Sequence, residues 1–232
     1  MTGVRMLMAA GGTGGHIMPA VAAAQAVKAL DPAAEFLFVG AGRPAEEAVL
    51  GPGGWNRTQV GAAPLKGRGA ARKLAGAARS AGAVFQALRI VRRFGPDVVF
   101  GAGGYSSGPV GLAGWLLGVP LFIHEQNRRP GLTNRLLGRL ASGVFLGDPA
   151  AAAGFGRGRS VCTGNPVRPS IFAASPKDFA GGRPLTLLVL GGSQGAMSLN
   201  RAVARALSGL KGLAAGSGVR VIHQAGDRGE AE

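Results

Sequence analysis

Ala9-Ala10-Gly11-Gly12-Thr13-Gly14-Gly15-His16-Ile17-Met18-Pro19-Ala20 decides how the chain is read. It follows a short apolar run, Val4–Met8, that reads as a buried strand, and it leads into Val21–Leu30, an alanine-rich segment that reads as a helix. Four glycines at a strand–helix junction let the backbone turn sharply and let a ligand approach bare N–H groups. The helix N-terminus behind them adds partial positive charge, suited to phosphate or to an oxygen gaining negative charge. His16 stands at the mouth of the turn, where an imidazole can handle a proton near neutral pH. The plain alternative is a glycine-rich turn carrying a solvated histidine.

A dinucleotide site fits poorly. Gly12, Gly14 and Ile17 miss the G-x-G-x-x-G spacing. The next strand, Phe36–Val39, runs into Gly40-Ala41-Gly42-Arg43, without the acid that holds a ribose at that point.

Working outward, the chain reads as alternating strands and helices, which predicts an α/β fold with a parallel sheet. Strands are expected at Glu35–Val39, Trp55–Val60 (short), Asp97–Phe100, Leu121–Ile123 and Gly143–Leu146. Helices are expected at Ala70–Arg93, Val110–Leu117 and Thr133–Leu140. In the first of these, Leu74, Ala78, Ala81, Phe85, Leu88 and Val91 fall along one side. A second glycine loop, Gly101–Pro109, precedes the Val110 helix. Leu121-Phe122-Ile123 delivers His124-Glu125-Gln126-Asn127 at a strand's carboxyl end, the edge where open parallel sheets collect ligands. Each of these four polar residues could also serve only to brace its loop. Ala150–Arg159 is small and flexible, and Thr163–Pro169, with its two prolines, reads as a stiff connector. A new cycle then begins: strand Leu185–Leu190, loop Gly191–Ala196, helix Leu199–Leu210, strand Val219–His223. These signals place a first domain at 1–163, a linker at 164–183 and the start of a second domain at 184–232. Two strands are too few for an independent α/β domain, so a longer natural chain is expected.

Composition narrows the class. At 232 residues with 47% hydrophobic content, the chain can build a packed core. The lone Cys162 excludes an internal disulfide and fits a reducing compartment. The Met6–Ala10 run is too short for a signal peptide, and Val110–Ile123 is too short for a membrane span and broken by Pro120. The formal net charge is +15, and no acid occurs between Glu47 and Asp97. That interval holds Arg57, Lys66, Arg68, Arg72, Lys73, Arg79, Arg89, Arg92 and Arg93, which suggests an anionic partner, unless it is only a solvated helix face. Aromatic content of 6% offers little for stacking on bases, and no nucleic-acid motif is present.

Six motifs occur in order: Gly11–His16 with Pro19; Gly103-Gly104-Tyr105-x-Ser107-Gly108-Pro109; His124–Asn127 with Pro130, Gly131, Thr133 and Asn134; Asn165-Pro166-Val167-Arg168; Gly191–Ala196; and His223-Gln224-x-Gly226. The set resembles the MurG family, the UDP-N-acetylglucosamine transferases of bacterial peptidoglycan synthesis. That resemblance implies a GT-B enzyme with two Rossmann-like domains, the second incomplete in this chain. It implies inverting transfer of GlcNAc from UDP-GlcNAc to the 4-hydroxyl of the N-acetylmuramoyl group of lipid I, giving lipid II. Donor contacts carry over to Thr13, Gly14, Gly15, Asn127, Arg168 and Ser193. His16 is the first choice for the base and Glu125 the second. Gly103, Gly104 and Tyr105 are read as an acceptor or phosphate loop. The same resemblance implies work at the cytoplasmic face of the inner membrane. There Arg72, Lys73 and Arg79 would meet anionic headgroups while Leu74, Phe85 and Trp115 dip beneath them. For the apolar members the alternative is helix core, Phe85 above all. No cofactor and no protein-bound metal are expected. The expected partners are UDP-GlcNAc, lipid I, the anionic membrane surface and other cell-wall synthesis proteins, with no nucleic acid. Another GT-B transferase on a lipid-linked acceptor, or a non-enzymatic basic module binding membrane or nucleic acid, remains the alternative.

Overall fold

The computed structural model describes residues 3–62, 70–156, 158–173, 186–192, 195–209 and 220–226; for residues 70–80 it describes the helical backbone alone. Contacts divide the chain into two units, Met1–Ala174 and Ser175–Glu232.

The first unit is a parallel seven-stranded sheet. Its strands are β1 (Arg5–Ala10), β2 (Glu35–Gly40), β3 (Arg57–Gln59), β4 (Val98–Gly103), β5 (Leu121–Glu125), β6 (Gly143–Leu146) and β7 (Ser160–Cys162), in the order β3-β2-β1-β4-β5-β6-β7. The helices between them are α1 (Gly14–Leu30), α2 (Pro44–Leu50), α3 (Ala70–Phe94), α4 (Ser107–Leu116) and α5 (Leu132–Leu137). A 3-10 turn, Pro149–Gly154, and the short helix α6 (Pro169–Phe172) follow.

Strand period sorts the core onto the two faces of the sheet. Leu7 and Ala9 point to one side, in a cluster with Val39, Val99, Ile123 and the inner residues of α3 and α4. Met8 and Ala10 point to the other, with Ile17, Ala20, Ala24, Phe36, Phe38 and Phe100. The strand order reverses between β1 and β4, and both strands end in glycine loops. Crossovers leave that point to opposite faces, which opens a crevice at the carboxyl ends of the two strands.

Three expectations change. The first helix begins at Gly14, not Val21, so the glycine stretch supplies its first turn and His16 is its third residue. Glycine and Pro19 are poor helix formers, but Ile17, fully buried, anchors the turn to the core. The long helix ends at Phe94, and its described buried stripe is Ala83, Ala87 and Val91. Small alanines at those positions let the helix lie close on the sheet, whereas Ala81 and Phe85 of the expected stripe face solvent. The interval after β2 holds α2, which carries no long periodic signal; the segment read as flexible, Ala150–Arg159, holds most of the 3-10 turn, and β7 follows directly after it.

The second unit has a parallel pair, β8 (Thr186–Leu190) and β9 (Arg220–Gln224), with α7 (Met197–Gly209) between them. The Asn200 side chain ties the start of α7 to the end of β9. Its Nδ2 donates to the carbonyl of Ala225 at 2.8 Å, and its Oδ1 lies 3.0 Å from Nε2 of His223. Val189 is buried, while Leu187, Leu188, Leu190 and Ile222 are exposed.

Candidate active site

Two glycine loops meet at the crevice. Gly104, at φ +85°, passes so close to the carbonyl of Gly11 that a Cβ there would collide with it. A Cβ on Gly103, at φ +95°, would stand 2.7 Å from Cδ2 of His16. Ser107 stitches the loops together: its buried hydroxyl lies 2.7 Å from the carbonyl of Ala9 and 2.6 Å from that of Gly103. Thus the main chain of one loop is packed against the imidazole of the other.

A cavity of about 200 Å³ results, lined by Gly11–Thr13, His16, Gly103–Tyr105, Glu125, Asn127 and Gly131–Asn134. His16 Nδ1 lies 3.2 Å from the hydroxyl of Thr13. Burial lowers the His16 pKa below the ordinary imidazole value, and the charge of Glu125 partly offsets this. A neutral imidazole at neutral pH is the form a base requires.

Glu125 is 1% exposed and fully bonded. Its Oε1 accepts from the Asn127 N–H at 2.9 Å and from Asn127 Nδ2 at 3.0 Å. Its Oε2 accepts from the Gly131 N–H and from Asn134 Nδ2, both at 3.0 Å. Four donors thus hold both oxygens of this carboxylate, which lines the cavity together with His16. Asn134 is 3% exposed, lines the cavity, and its Oδ1 has no partner among the described residues.

A neighbouring cavity of about 280 Å³ is lined by Gly14, Gly15, Met18, Pro19, Gln126, Asn165–Arg168 and Ile171. The first N–H groups of α1 belong to Gly14 and Gly15, and helix geometry gives them no partner within the helix. A Cβ on Gly14 would meet nothing within 4 Å, so the approach to that backbone is open. The anticipated donor contacts therefore divide: Thr13 and Asn127 line the first cavity, while Gly14, Gly15 and Arg168 line the second. Ser193 lies outside the described residues, as do the side chains of Arg72, Lys73, Leu74 and Arg79.

The model of the glycosyltransferase family 28 N-terminal domain matches residues 6–146. The chain belongs to glycosyltransferase family 28.

Within this family, the match spans β1 through β6 and so includes both glycine loops and the Glu125 cluster. The UDP-N-acetylglucosamine–N-acetylmuramyl-(pentapeptide) pyrophosphoryl-undecaprenol N-acetylglucosamine transferase of Syntrophus aciditrophicus is 41% identical over 97% of this chain and 62% of its own length. The protein of the same name from Chromohalobacter salexigens is 45% identical over 96% of this chain and 60% of its own. The chain thus spans about 60% of the length of these curated relatives. Among solved structures, Acinetobacter baumannii MurG superposes with a TM-score of 0.71 at 31% identity, covering 98% of this chain and 64% of that one. The UDP-GlcNAc 2-epimerase of Methanocaldococcus jannaschii gives a TM-score of 0.63 at 10% identity, a likeness of fold alone. The parallel α/β architecture is that of GT-B glycosyltransferases.

Glu46 was not singled out from the sequence of this family 28 chain. No acid follows β2 directly, but Glu46 of α2 folds back onto that turn, 6% exposed, and its carboxylate accepts from the N–H of Gly12 at 2.8 Å. Its one legible signal is an acid in the first turn of a Pro-started helix, a common capping feature. Nothing local reveals a contact across 34 residues. Among the described residues no three His, Cys, Asp or Glu side chains gather at metal-ligand distance, and no helix is long and apolar enough to cross a membrane.

Proposed function

We infer that the chain carries the acceptor-side machinery of an inverting transferase. This enzyme moves GlcNAc from UDP-GlcNAc to the 4-hydroxyl of the MurNAc of lipid I. The observation that carries the reading is His16: an imidazole kept neutral by burial, oriented by Thr13 and opposed by the charge of Glu125 at the sheet's switch point. The names and identities of the relatives supply the substrates.

The chemistry is a single in-line displacement. With its Nδ1 proton donated to the Thr13 hydroxyl, His16 offers the Nε2 lone pair to the acceptor hydroxyl. As the proton passes to Nε2, the acceptor oxygen bonds to the anomeric carbon from the face opposite UDP. The bond from that carbon to the diphosphate oxygen breaks, its electron pair leaves with UDP, and the configuration inverts. Glu125 stabilises the imidazolium so formed. The charge gathering on the diphosphate finds the N-terminus of α1, with the bare N–H groups of Gly14 and Gly15, and the Arg168 guanidinium. A hydroxyl or amide N–H of the acceptor would satisfy Asn134 Oδ1.

A lipid-linked acceptor is supported by the surface beside the site. An apolar cavity of about 420 Å³, lined by Val84, Pro109, Leu112, Leu132, Leu136, Leu137 and Leu140, shares Tyr105, Leu132 and Thr133 with the His16 cavity. Phe85, Trp115, Leu116, Leu132 and Leu136 are exposed. With Arg89, Arg92 and Arg93 on the same long helix, this surface suits the cytoplasmic face of an anionic membrane. The test is transfer of labelled GlcNAc from UDP-GlcNAc to a lipid I analogue by the full-length protein, with the anomeric configuration read by NMR. A β-linked disaccharide from the α-linked donor is expected. Hydrolysis without transfer, or retention, would overturn the proposal.

A further inference from the structure

Glu46 is a buried carboxylate without a cation: neither ion pair among the described residues includes it. Its charge is met by main-chain donors. Oε1 accepts from the Gly12 N–H at 2.8 Å and the Ala41 N–H at 3.0 Å, and Oε2 accepts from the Ala41 N–H at 3.0 Å and the Gly42 N–H at 2.9 Å. Burying a lone carboxylate costs several kcal/mol unless such charge-assisted bonds replace water. Backbone N–H groups converging on one anion are also how glycine loops hold phosphate. In this chain the anion is its own side chain.

The packing around it is tight. A Cβ on Gly11 would stand 3.0 Å from Glu46 Oε1, and a Cβ on Gly40 would collide with the carboxylate. Glycine at both positions is what lets Glu46 reach Gly12. Gly12 adjoins Thr13, whose hydroxyl meets His16.

We propose that Glu46 is a positioning residue of the transferase: it occupies the anion seat of the first glycine loop, fixes Gly12 and Thr13, and through Thr13 sets the His16 imidazole. A second consequence follows. Because the Gly12 N–H is already taken, the donor's diphosphate is left to Gly14, Gly15 and Arg168. This inference rests on the transferase reading above.

The test compares Glu46→Gln and Glu46→Ala with wild type in the full-length protein. Glutamine keeps the shape but turns an amide NH₂ toward backbone donors; alanine empties the seat. Turnover should fall roughly 10–100-fold in both, the range for a reacting group displaced by about an ångström. The donor KM should stay nearly unchanged. The His16 imidazole, followed by its ring-proton NMR signal, should titrate closer to an ordinary histidine. In Glu46→Ala, formate or acetate should restore both turnover and the imidazole titration, with no such effect on wild type. A raised donor KM with kcat intact would make Glu46 a donor contact and overturn the proposal. So would lower melting temperature with normal turnover and normal His16 titration, which would make it a structural brace. Should wild type itself transfer no GlcNAc, the transferase reading falls, and the imidazole titration with its anion rescue still decides whether Glu46 sets the loop.

Discussion

Gly104 lies against the carbonyl of Gly11, close enough that a Cβ at that position would collide with it. The contact joins the end of β1 to the end of β4, the two strands at which the sheet order reverses. Gly104→Ala meets both a collision and a left-handed backbone at φ +85°. It should destabilise the first unit by about 1–3 kcal/mol, the usual cost of such strain. Urea unfolding of the two proteins checks this. Equal midpoints would show that the loops are not locked together.

Glu125→Gln tests the charge of Glu125. The carboxylate raises the His16 pKa against the effect of burial, so removing its charge should lower that pKa further. The acid limb of the kcat/KM profile should move to lower pH, and kcat should fall as the imidazolium loses its counter-charge. An acid limb shifted upward, or unmoved, would detach Glu125 from His16.

Much of this was legible in the sequence, and the reasons for the rest are physical. Leu121-Phe122-Ile123 is a continuous apolar run that reads as a buried strand, and that reading places the polar residues after it at the sheet's carboxyl edge, where β5 delivers them. The start of α1 was not legible, because Gly14, Gly15 and Pro19 argue locally against helix while the burial of Ile17 enforces it. The inner stripe of α3 was legible at Leu88 and Val91 but not at Ala81 and Phe85, which face solvent, because close packing selected the small Ala83 and Ala87 instead. Glu46 is a long-range partner, and periodicity carries no record of such contacts.

Acid stability should depend on His124. The residue is 1% exposed, its Nε2–H donates to the carbonyl of Gly164 at 3.2 Å, and burial lowers its pKa against smaller opposing effects of Gly164 and Glu125. A histidine with a lowered folded-state pKa binds its proton more readily when unfolded. Stability is therefore full above the unfolded value of about 6.5 and declines as pH falls below it, until the folded-state pKa is passed. His124→Gln removes that dependence. Urea unfolding between neutral and mildly acidic pH should show wild type losing more stability than the variant. Parallel curves would contradict the assignment.

Membrane association should depend on the exposed apolar residues. Phe85 is 67% and Trp115 46% exposed, so Phe85→Ser and Trp115→Ser should leave folding intact. Each should weaken partitioning onto anionic vesicles about tenfold, as expected for roughly 1–2 kcal/mol of lost burial. Salt should weaken the remaining attraction, since screening acts over about 8 Å at physiological ionic strength. Vesicle sedimentation gives both numbers, and variants binding like wild type would place the membrane surface elsewhere.

The central claim is that His16 takes the acceptor's proton, and steady-state turnover of His16→Ala in the full-length protein tests it most directly. The side chain is only partly buried, so circular dichroism and melting should match wild type. With substrates saturating, kcat should fall about 10²–10⁴-fold, the range for loss of a general base. Turnover near the wild-type value in the folded variant would contradict the account.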